Sequence, residues 1–325
     1  MLVVELDTVE ELIAALTPLK IKQERSEGFQ LKRPLNWNGS YIFRGQANSD
    51  WGLTPKIFRK RQNRAFKEVL LDEIHLFDSF TENIKSFHEK NIEEDELIRA
   101  REMYSHMLSS PAQLPNESHG KDKDTRVFPV KEMYKPLAYM QHIGLKTRLL
   151  DWSYSPLVAA YFAASDYSQH ELYNPKSKIS VFAFGANSYA TESFSLEKID
   201  VSTIGNKRMS LQKGCFTVVK DVFDISETPE LVVEKDITKL NVGDDLNDDM
   251  ISFCQFNLPA KLRPELLAYL DFLGINALTL FDPTYGLQKG TMDKLFINYY
   301  GDSQLRKGGD TSMMFDLSFN EDPPQ

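Results

Sequence analysis

Residues 141–164, Q-H-I-G-L-K-T-R-L-L-D-W-S-Y-S-P-L-V-A-A-Y-F-A-A, combine the end of one helix, a turn, a short strand and the start of a second helix. Gly144 marks the turn, because glycine adopts the backbone conformations that close a helix. Leu149–Leu150 is the apolar centre of the strand. Ser155 can cap the second helix, and Pro156 suits its first position. That helix is apolar on every side, so the sequence predicts that it is buried.

Polar side chains crowd the joints of this unit, at Gln141, His142, Thr147, Arg148, Asp151, Ser153 and Ser155. A polar strand end that leads into a helix N-terminus can bind an anion, because the free N–H groups and the helix dipole favour negative charge. The residue types alone favour a structural interpretation, in which Asp and Ser are helix caps and Arg148 with Asp151 is an ordinary ion pair. His142 is either a hydrogen-bonded structural group or a general base.

A second polar segment lies earlier, at residues 43–59, F-R-G-Q-A-N-S-D-W-G-L-T-P-K-I-F-R. Ser40–Arg44 is predicted to be a short strand with Arg44 at its end. Gly45 follows, and its missing side chain lets another group approach closely. The residues after it are typical of a turn, and Trp51 is predicted to pack against that turn.

The two segments together resemble the FRG domain family, which is named after a Phe-Arg-Gly motif. Residues 43–45 match that motif. Residues 141–164 match a second signature that resembles Q-H-x-G-x-x-T-R-L-L-D-W-[ST]-x-[SN]-P followed by A-x-x-F-A. The likeness extends to L-F-D-P-T-Y-G-L at residues 280–287, so the chain is identified as a member of this family. The family is defined by sequence and implies no activity.

A more distant resemblance implies an activity. An Arg-Gly on an early strand, a Ser-x-Ser strand end and a buried A-x-x-F-A helix are similar to the arginine-type ADP-ribosyltransferases, which use NAD. The resemblance implies that Arg44 contacts the NAD diphosphate or ribose, and that Ser153 and Ser155 brace the nicotinamide–ribose pocket. It further implies a macromolecular acceptor, protein or nucleic acid, and roles such as toxins or phage-defence effectors. Together with motif residues that are predicted to line the same cleft, the candidate cofactor-binding residues are Arg44, Gly45, Gln141, Arg148, Ser153 and Ser155.

The sequence departs from that superfamily at the catalytic carboxylate, a Glu on a later strand. The segment read as this strand is R-M-S-L-Q-K-G-C-F, residues 208–216, with Gln212 and Gly214 where a Gln-x-Glu or Glu-x-Glu would stand. A neutral Gln supplies no negative charge against a developing oxocarbenium ion. Either another carboxylate, such as Asp151, takes this role or the pocket binds without turnover. The candidate catalytic residues are Arg44, Asp151, Gln212 and His142.

Composition narrows the class of protein. A net charge of -9 over 325 residues argues against broad binding to nucleic acid or anionic membranes. Two cysteines and six scattered histidines give neither a disulfide framework nor metal-ligand spacing, so no metal is expected. The acidic run D-D-L-N-D-D at residues 244–249 lacks EF-hand spacing and is interpreted as solvated charge. With no signal peptide and no membrane span, a cytoplasmic protein without membrane partners is predicted; its oligomeric state stays open.

Hydrophobic spacing predicts the remaining elements. Predicted helices are 66–90, 93–108, 131–143 and 264–273, with a strand and then a helix capped at Thr8 over residues 3–16. Predicted strands are 179–184, 214–219 and 275–281. The resulting fold is α+β, a single domain over residues 1–325 with a small mixed or antiparallel β core, similar to the ADP-ribosyltransferases. A mainly helical insertion is predicted at residues 62–143, between the two signatures.

Three functional classes follow. The first is an enzyme that cleaves NAD and transfers ADP-ribose to a macromolecule or to water. The second is a non-catalytic sensor that binds a nucleotide or a modified partner through the same cleft. The third is an interaction module in which the motif residues only hold the core.

Overall fold

The computed structural model describes residues 1–17, 41–59, 65–86, 92–115, 125–166, 176–185, 196–200, 207–224, 236–239 and 253–300. Its strands are β1 Leu2–Glu5, β2 Tyr41–Gln46, β3 Thr125–Phe128, β4 Leu149–Ser153, β5 Lys178–Gly185, β6 Leu196–Ile199, β7 Gly214–Val219, β8 Asp221–Asp224 and β9 Phe253–Pro259. Its α-helices are α1 Val9–Leu16, α2 Phe66–Ile84, α3 Glu94–Ser109, α4 Tyr134–His142, α5 Pro156–Ser165, α6 Lys207–Leu211, α7 Arg263–Phe272, α8 Ala277–Leu280 and α9 Pro283–Tyr300.

Seven of these strands form one mixed sheet in the order β1-β9-β5-β2-β4-β7-β6. β1 runs parallel to β9, and the other neighbours are antiparallel. β3 and β8 pair separately as an antiparallel ribbon. The predicted α+β class with a mixed sheet is therefore confirmed.

The middle of the sheet is weakly bonded. β2 pairs with β5 along its whole length, from Tyr41 to Gln46. Its other neighbour is β4, and over these two fully described strands only Phe43 and Ser153 are paired. β4 pairs with β7 at every residue. The sheet thus consists of two well-bonded halves that share one residue pair and diverge beyond it.

Each half carries its own apolar core on the helix-covered side. Phe43 of β2 and Phe256 of β9 belong to a cluster with residues of α1, α5, α7 and α9. Leu149 of β4 and Val218 of β7 belong to a second cluster with residues of α2, α3 and α4. Alternate strand residues face the other side of the sheet, where a third cluster includes Ile42, Leu150, Trp152, Phe182 and Phe184. This third cluster joins the two halves on the side opposite the helices.

Gly45 lets α5 lie directly on β2. A Cβ at this position would come within 1.9 Å of the Ala159 carbonyl oxygen and 2.5 Å of the Ala163 nitrogen. The close approach predicted for this glycine is therefore made by the backbone of α5. The prediction that Arg44 ends its strand is wrong, because β2 continues to Gln46 and Arg44 lies within it.

The predicted strand at residues 275–281 is wrong. The apolar run suggested β structure, but Asn276 starts helix α8 by a reciprocal cap. Its side chain accepts from the Thr279 N–H at 3.1 Å, and the Thr279 hydroxyl accepts from the Asn276 N–H at 3.2 Å. Such a cap satisfies donors that the first helical turn leaves free. Gly274, at φ +76°, ends α7 just before it.

Other local predictions are confirmed. Thr8 accepts from the Glu11 N–H at 3.2 Å and caps α1, and Ser155 accepts from the Val158 N–H at 3.4 Å and caps α5. The helices predicted from residues 66, 93 and 131 correspond to α2, α3 and α4, the last preceded by a 3-10 turn. The predicted helix 66–90 is too long, because α2 ends at Ile84 with Lys85 as its C-cap. Residues 87–90 and the acidic run 244–249 lie outside the described residues. The division into one domain with an insertion at 62–143 stays a prediction.

Gly45→Ala should destabilise the protein strongly, because the new Cβ would overlap the backbone of α5. We expect a loss of about 3 kcal/mol or more in the free energy of unfolding, measured by urea denaturation. Gly214→Ala is the matched control, since the nearest atom to its Cβ would be 3.6 Å away, an ordinary contact. Equal stability of the two variants would show that α5 does not rest on β2.

Candidate functional site

A cleft opens where β2 and β4 diverge. It encloses about 750 Å³ of empty space, a figure that includes open solvent at its mouth. β2, the loop after it, β4, α5 and the turn before β7 supply its walls. The charged side chains in the lining are Arg44, Arg59, Asp151 and Asp166.

Arg44 spans the gap between the two strands. Its side chain is only 9% exposed, and Nη1 donates to the Asp151 carbonyl oxygen at 2.8 Å. The same atom lies 3.7 Å from Oδ2 of the Asp151 carboxylate. Nε finds no hydrogen-bond partner among the described residues. A buried donor left unpaired costs roughly 1–3 kcal/mol, which a ligand acceptor would recover.

The charge of Arg44 survives its burial. Desolvation lowers the pKa of Arg44 to about 10; the nearby Asp151 carboxylate acts against this shift and the Arg59 guanidinium adds to it. At neutral pH the side chain therefore remains a cation. A partly buried guanidinium with a free N–H suits a phosphate or carboxylate.

Asp151 is held by a chain of hydrogen bonds behind the cleft. Gln141 Nε2 donates to Asp151 Oδ2 at 2.8 Å, and Thr147 Oγ1 donates to Gln141 Oε1 at 2.6 Å. The Leu149 N–H donates to the Thr147 hydroxyl at 3.2 Å. The Asp151 side chain is still 30% exposed to the cleft. Gln141 thus orients Asp151 from behind and is not itself part of the cleft wall.

Ser153 and Gln212 line the cleft but are tied to one another. Ser153 Oγ donates to the Gln212 carbonyl oxygen at 2.7 Å and accepts from the Ser155 N–H at 2.9 Å. Gln212 Nε2 donates to the Leu280 carbonyl oxygen at 3.0 Å. Both side chains therefore fix the turn that closes this end of the cleft.

The prediction of a strand over residues 208–216 is wrong for its first six residues. Helix α6 ends at Leu211, a turn follows in which Lys213 has φ +49°, and β7 begins only at Gly214. Pairing of β7 with β4 stops at the Ser153–Gly214 pair, because β4 ends there. Gln212 thus lies in a turn and not on a strand.

Arg148 does not reach the cleft. It is 1% exposed and pairs with Glu73 and Asp221 rather than with Asp151. Nε donates to Glu73 Oε1 at 2.9 Å, and the guanidinium lies 4.5 Å from the centre of the Phe128 ring. Burial opposes its charged form, but the two carboxylates outweigh that effect and raise the pKa of Arg148. Its contacts join α2 and β8 to β4.

His142 and Ser155 also lie outside the cleft lining. His142 is half-buried at the last residue of α4. Ser155 caps α5, and the part of α5 that lines the cleft is Ala159 and Phe162, beyond the first turn. Of the predicted site residues, the cleft brings together Arg44, Gly45, Asp151, Ser153 and Gln212, with Gln141 behind Asp151.

Sequence reasoning missed nine of the lining residues, and three of these are the charged or exposed aromatic side chains Trp51, Arg59 and Asp166. Trp51, predicted to pack against its turn, is 46% exposed in the cleft wall. Arg59 is the last residue of the first signature segment. A positive charge at the end of that segment could have indicated a second cation in the cleft. Asp166 follows the buried helix α5 directly, where an acidic residue after an apolar run is easily read as a helix end.

Neither thiol chemistry nor a metal cluster is evident in the described ranges. No group of three or more His, Cys, Asp or Glu there is arranged to hold a metal ion. Cys215 and Cys254 are buried, and desolvation raises the pKa of each thiol to about 12. Within the same ranges, the helices are all too short or too polar to cross a membrane.

Comparison with known proteins gives one match. The family model of the FRG domain matches residues 39–172. This range contains all the cleft residues named above except Gln212. No curated protein and no solved structure shows a significant match to the chain.

Removing the Arg148 side chain should cost stability. Arg148→Ala leaves the buried Glu73 carboxylate without this cation and removes one partner of Asp221, so we expect a loss of about 3–5 kcal/mol in the free energy of unfolding. Lys178→Ala is the control, because it removes an exposed pair with Glu5 and should cost less than about 1 kcal/mol. Urea denaturation measures both, and similar losses would contradict a buried anchoring role for Arg148.

The two cysteines should be inert in the folded protein. With thiol pKa values of about 12, roughly one molecule in ten thousand carries a thiolate at pH 8. We expect no release of thionitrobenzoate from Ellman's reagent at pH 8 in native buffer, and two equivalents per chain in guanidinium chloride, matching the cysteine count. Rapid reaction of either thiol in native buffer would contradict its burial.

Proposed function

The chain carries an FRG domain, and we propose that the cleft of this domain binds NAD and cleaves its nicotinamide–ribose bond. One observation carries the proposal. A buried Arg44 cation, whose Nε has no hydrogen-bond partner among the described residues, and a partly exposed Asp151 carboxylate both line the same cleft. Cleavage of NAD needs both functions, an anchor for the diphosphate and a negative charge beside the reacting sugar.

Arg44 serves as the phosphate anchor. Its guanidinium is already held by the Asp151 carbonyl, so little side-chain freedom is lost when a phosphate binds. A charge-assisted hydrogen bond from Nε to a phosphate oxygen would satisfy the buried donor. Arg59 lies in the same wall and adds positive potential for a second phosphate.

Asp151 serves as the catalytic carboxylate. When the bond between C1′ and the nicotinamide nitrogen breaks, its electron pair leaves with nicotinamide and positive charge develops on the ribose. A carboxylate that Gln141 already orients stabilises that charge without reorganising. Water then attacks C1′ and loses a proton to give ADP-ribose, or a nucleophile of a protein or nucleic acid attacks and becomes ADP-ribosylated.

A nucleotide-binding sensor without turnover is the second candidate. It is supported by the hydrogen bonds and charges of two polar side chains in the cleft, Gln212 and Asp151. Gln212 stands where a carboxylate was expected, and its amide is engaged by Leu280. Asp151 also lies 3.7 Å from the Arg44 cation, which offsets part of its negative charge. Such a cleft would bind the dinucleotide through Arg44 and leave the glycosidic bond intact.

Nicotinamide release from NAD tests the proposal. We expect release by the wild-type protein and a loss of about 100-fold or more in kcat for Asp151→Asn, because the charge that stabilises the transition state is gone. NAD affinity of this variant, measured by calorimetry, should change little. Arg44→Ala should instead weaken NAD binding by roughly 10-fold or more, since it removes a charged hydrogen bond.

Arg101→Ala is the control for Arg44→Ala, because Arg101 is a partly exposed arginine paired with Asp78 on α2, away from the cleft. It should leave both affinity and release unchanged. Binding of NAD without release, in buffer and in cell lysate, would reject the enzyme in favour of the sensor. Release that requires lysate would identify a macromolecular acceptor, and failure to bind NAD would contradict the whole proposal.

A further inference from the structure

Trp51 is an exposed tryptophan in the wall of the cleft. Its side chain is 46% exposed, whereas the other described tryptophan, Trp152, is 3% exposed in the core. Tryptophan is usually well buried because its ring carries a large apolar area. An exposed indole in the wall of a cleft is therefore a candidate contact for a ligand.

The backbone on the carboxyl side of Trp51 is fixed by buried polar groups. Gln46 Nε2 donates to the carbonyl oxygens of Trp51, at 3.4 Å, and Gly52, at 3.2 Å. The Leu53 N–H donates to Asp236 Oδ1 at 2.9 Å. A Cβ on Gly52 would come within 2.0 Å of the Asp236 carboxylate, so the loop is pressed against that residue.

The backbone on the amino side is fixed as well. The Ser49 N–H donates to the Lys178 carbonyl oxygen at 2.8 Å, and Gln255 Nε2 donates to the Ser49 carbonyl oxygen at 2.9 Å. Arg263, fully buried on α7, donates to the Ala47 carbonyl oxygen. Side chains and backbone from β5, β9 and α7 thus anchor the backbone of this stretch.

The loop is built to present the indole and not to bury it. Buried polar side chains are costly unless they are paired, and here Gln46, Asp236 and Gln255 are all paired to this loop or its neighbours. Trp51 itself remains 46% exposed in that arrangement. A flat, rigidly presented aromatic surface is what a planar heterocycle needs for stacking.

We infer that Trp51 is the stacking platform for the adenine base of the ligand, which enters with its base at the mouth of the cleft and its diphosphate at Arg44. The inference rests on the proposed function. The exposure of the two side chains indicates the orientation of the ligand. Arg44 is 9% exposed and lies deep in the cleft, whereas Trp51 is 46% exposed and lies near its mouth. The bond to be broken must lie near Asp151, beside Arg44, so the nicotinamide end is inside and the adenine end remains at the mouth.

Two probes separate the ends of the ligand. ADP-ribose carries adenine and has no nicotinamide bond to cleave, whereas nicotinamide mononucleotide carries the other half without adenine. We would measure the Kd of each by calorimetry for Trp51→Ala and Trp51→Phe, both in the Asp151→Asn background so that nothing turns over. The ADP-ribose measurements would be repeated with Asp151 intact.

Trp51→Ala should weaken ADP-ribose binding by roughly 5-fold to 150-fold, the range for loss of one aromatic stacking partner. Binding of nicotinamide mononucleotide should change by less than about 2-fold, and Trp51→Phe should restore most of the ADP-ribose affinity. Because Trp51 is exposed, the Tm of Trp51→Ala should stay near that of its parent, which excludes unfolding as the cause.

An ADP-ribose Kd unaffected by Trp51→Ala would overturn the stacking assignment and leave the proposed function standing. Equal weakening of both probes would also overturn it, because Trp51 would then act on the shared phosphate–ribose part. Failure of ADP-ribose, nicotinamide mononucleotide and NAD to bind the protein with an intact cleft would overturn the proposed function together with the stacking platform.

Discussion

The hydrogen bond from Arg44 to the carbonyl oxygen of Asp151 links β2 and β4 where the backbone pairing between these strands is interrupted. β2 and β4 share one backbone pair, Phe43 with Ser153, and beyond it a side chain replaces the missing ladder. A strand carbonyl next to such a gap needs a donor, since an unpaired buried polar group is costly. Arg44 supplies that donor through Nη1. The guanidinium makes this structural contact through Nη1, and the binding contact that we propose would use Nε.

Neighbouring residues of the second signature, residues 141–164, have different structural roles. Arg148 leaves the strand entrance toward Glu73 and Asp221 and anchors the helical layer. Asp151, three residues later, faces the cleft and is oriented through Gln141 and Thr147. Ser153 then fixes the turn before β7 by its bond to the Gln212 carbonyl. One short segment therefore joins the helices, the cleft and the turn, and for that reason a change within it reaches all three.

Sequence reasoning succeeded where the determinants are local. The caps at Thr8 and Ser155, the apolar helix α5 and the close approach at Gly45 follow from neighbouring residues. It failed where the partner is distant in the chain. The anion for Arg148 lies 75 residues away, and the carboxylate that holds the Trp51 loop lies 183 residues from Leu53. One local determinant was also missed, because the Asn276–Thr279 cap starts a helix inside the apolar run at 275–281 that suggested a strand.

The central claim is that the gap between β2 and β4 is a nucleotide site whose anchor is Arg44. A crystal structure of the protein with ADP-ribose tests this most directly. The account predicts a diphosphate oxygen within about 3 Å of Arg44 Nε, with the terminal ribose beside Asp151. ADP-ribose bound elsewhere, or bound in the cleft with Arg44 Nε still lacking an acceptor, would contradict it.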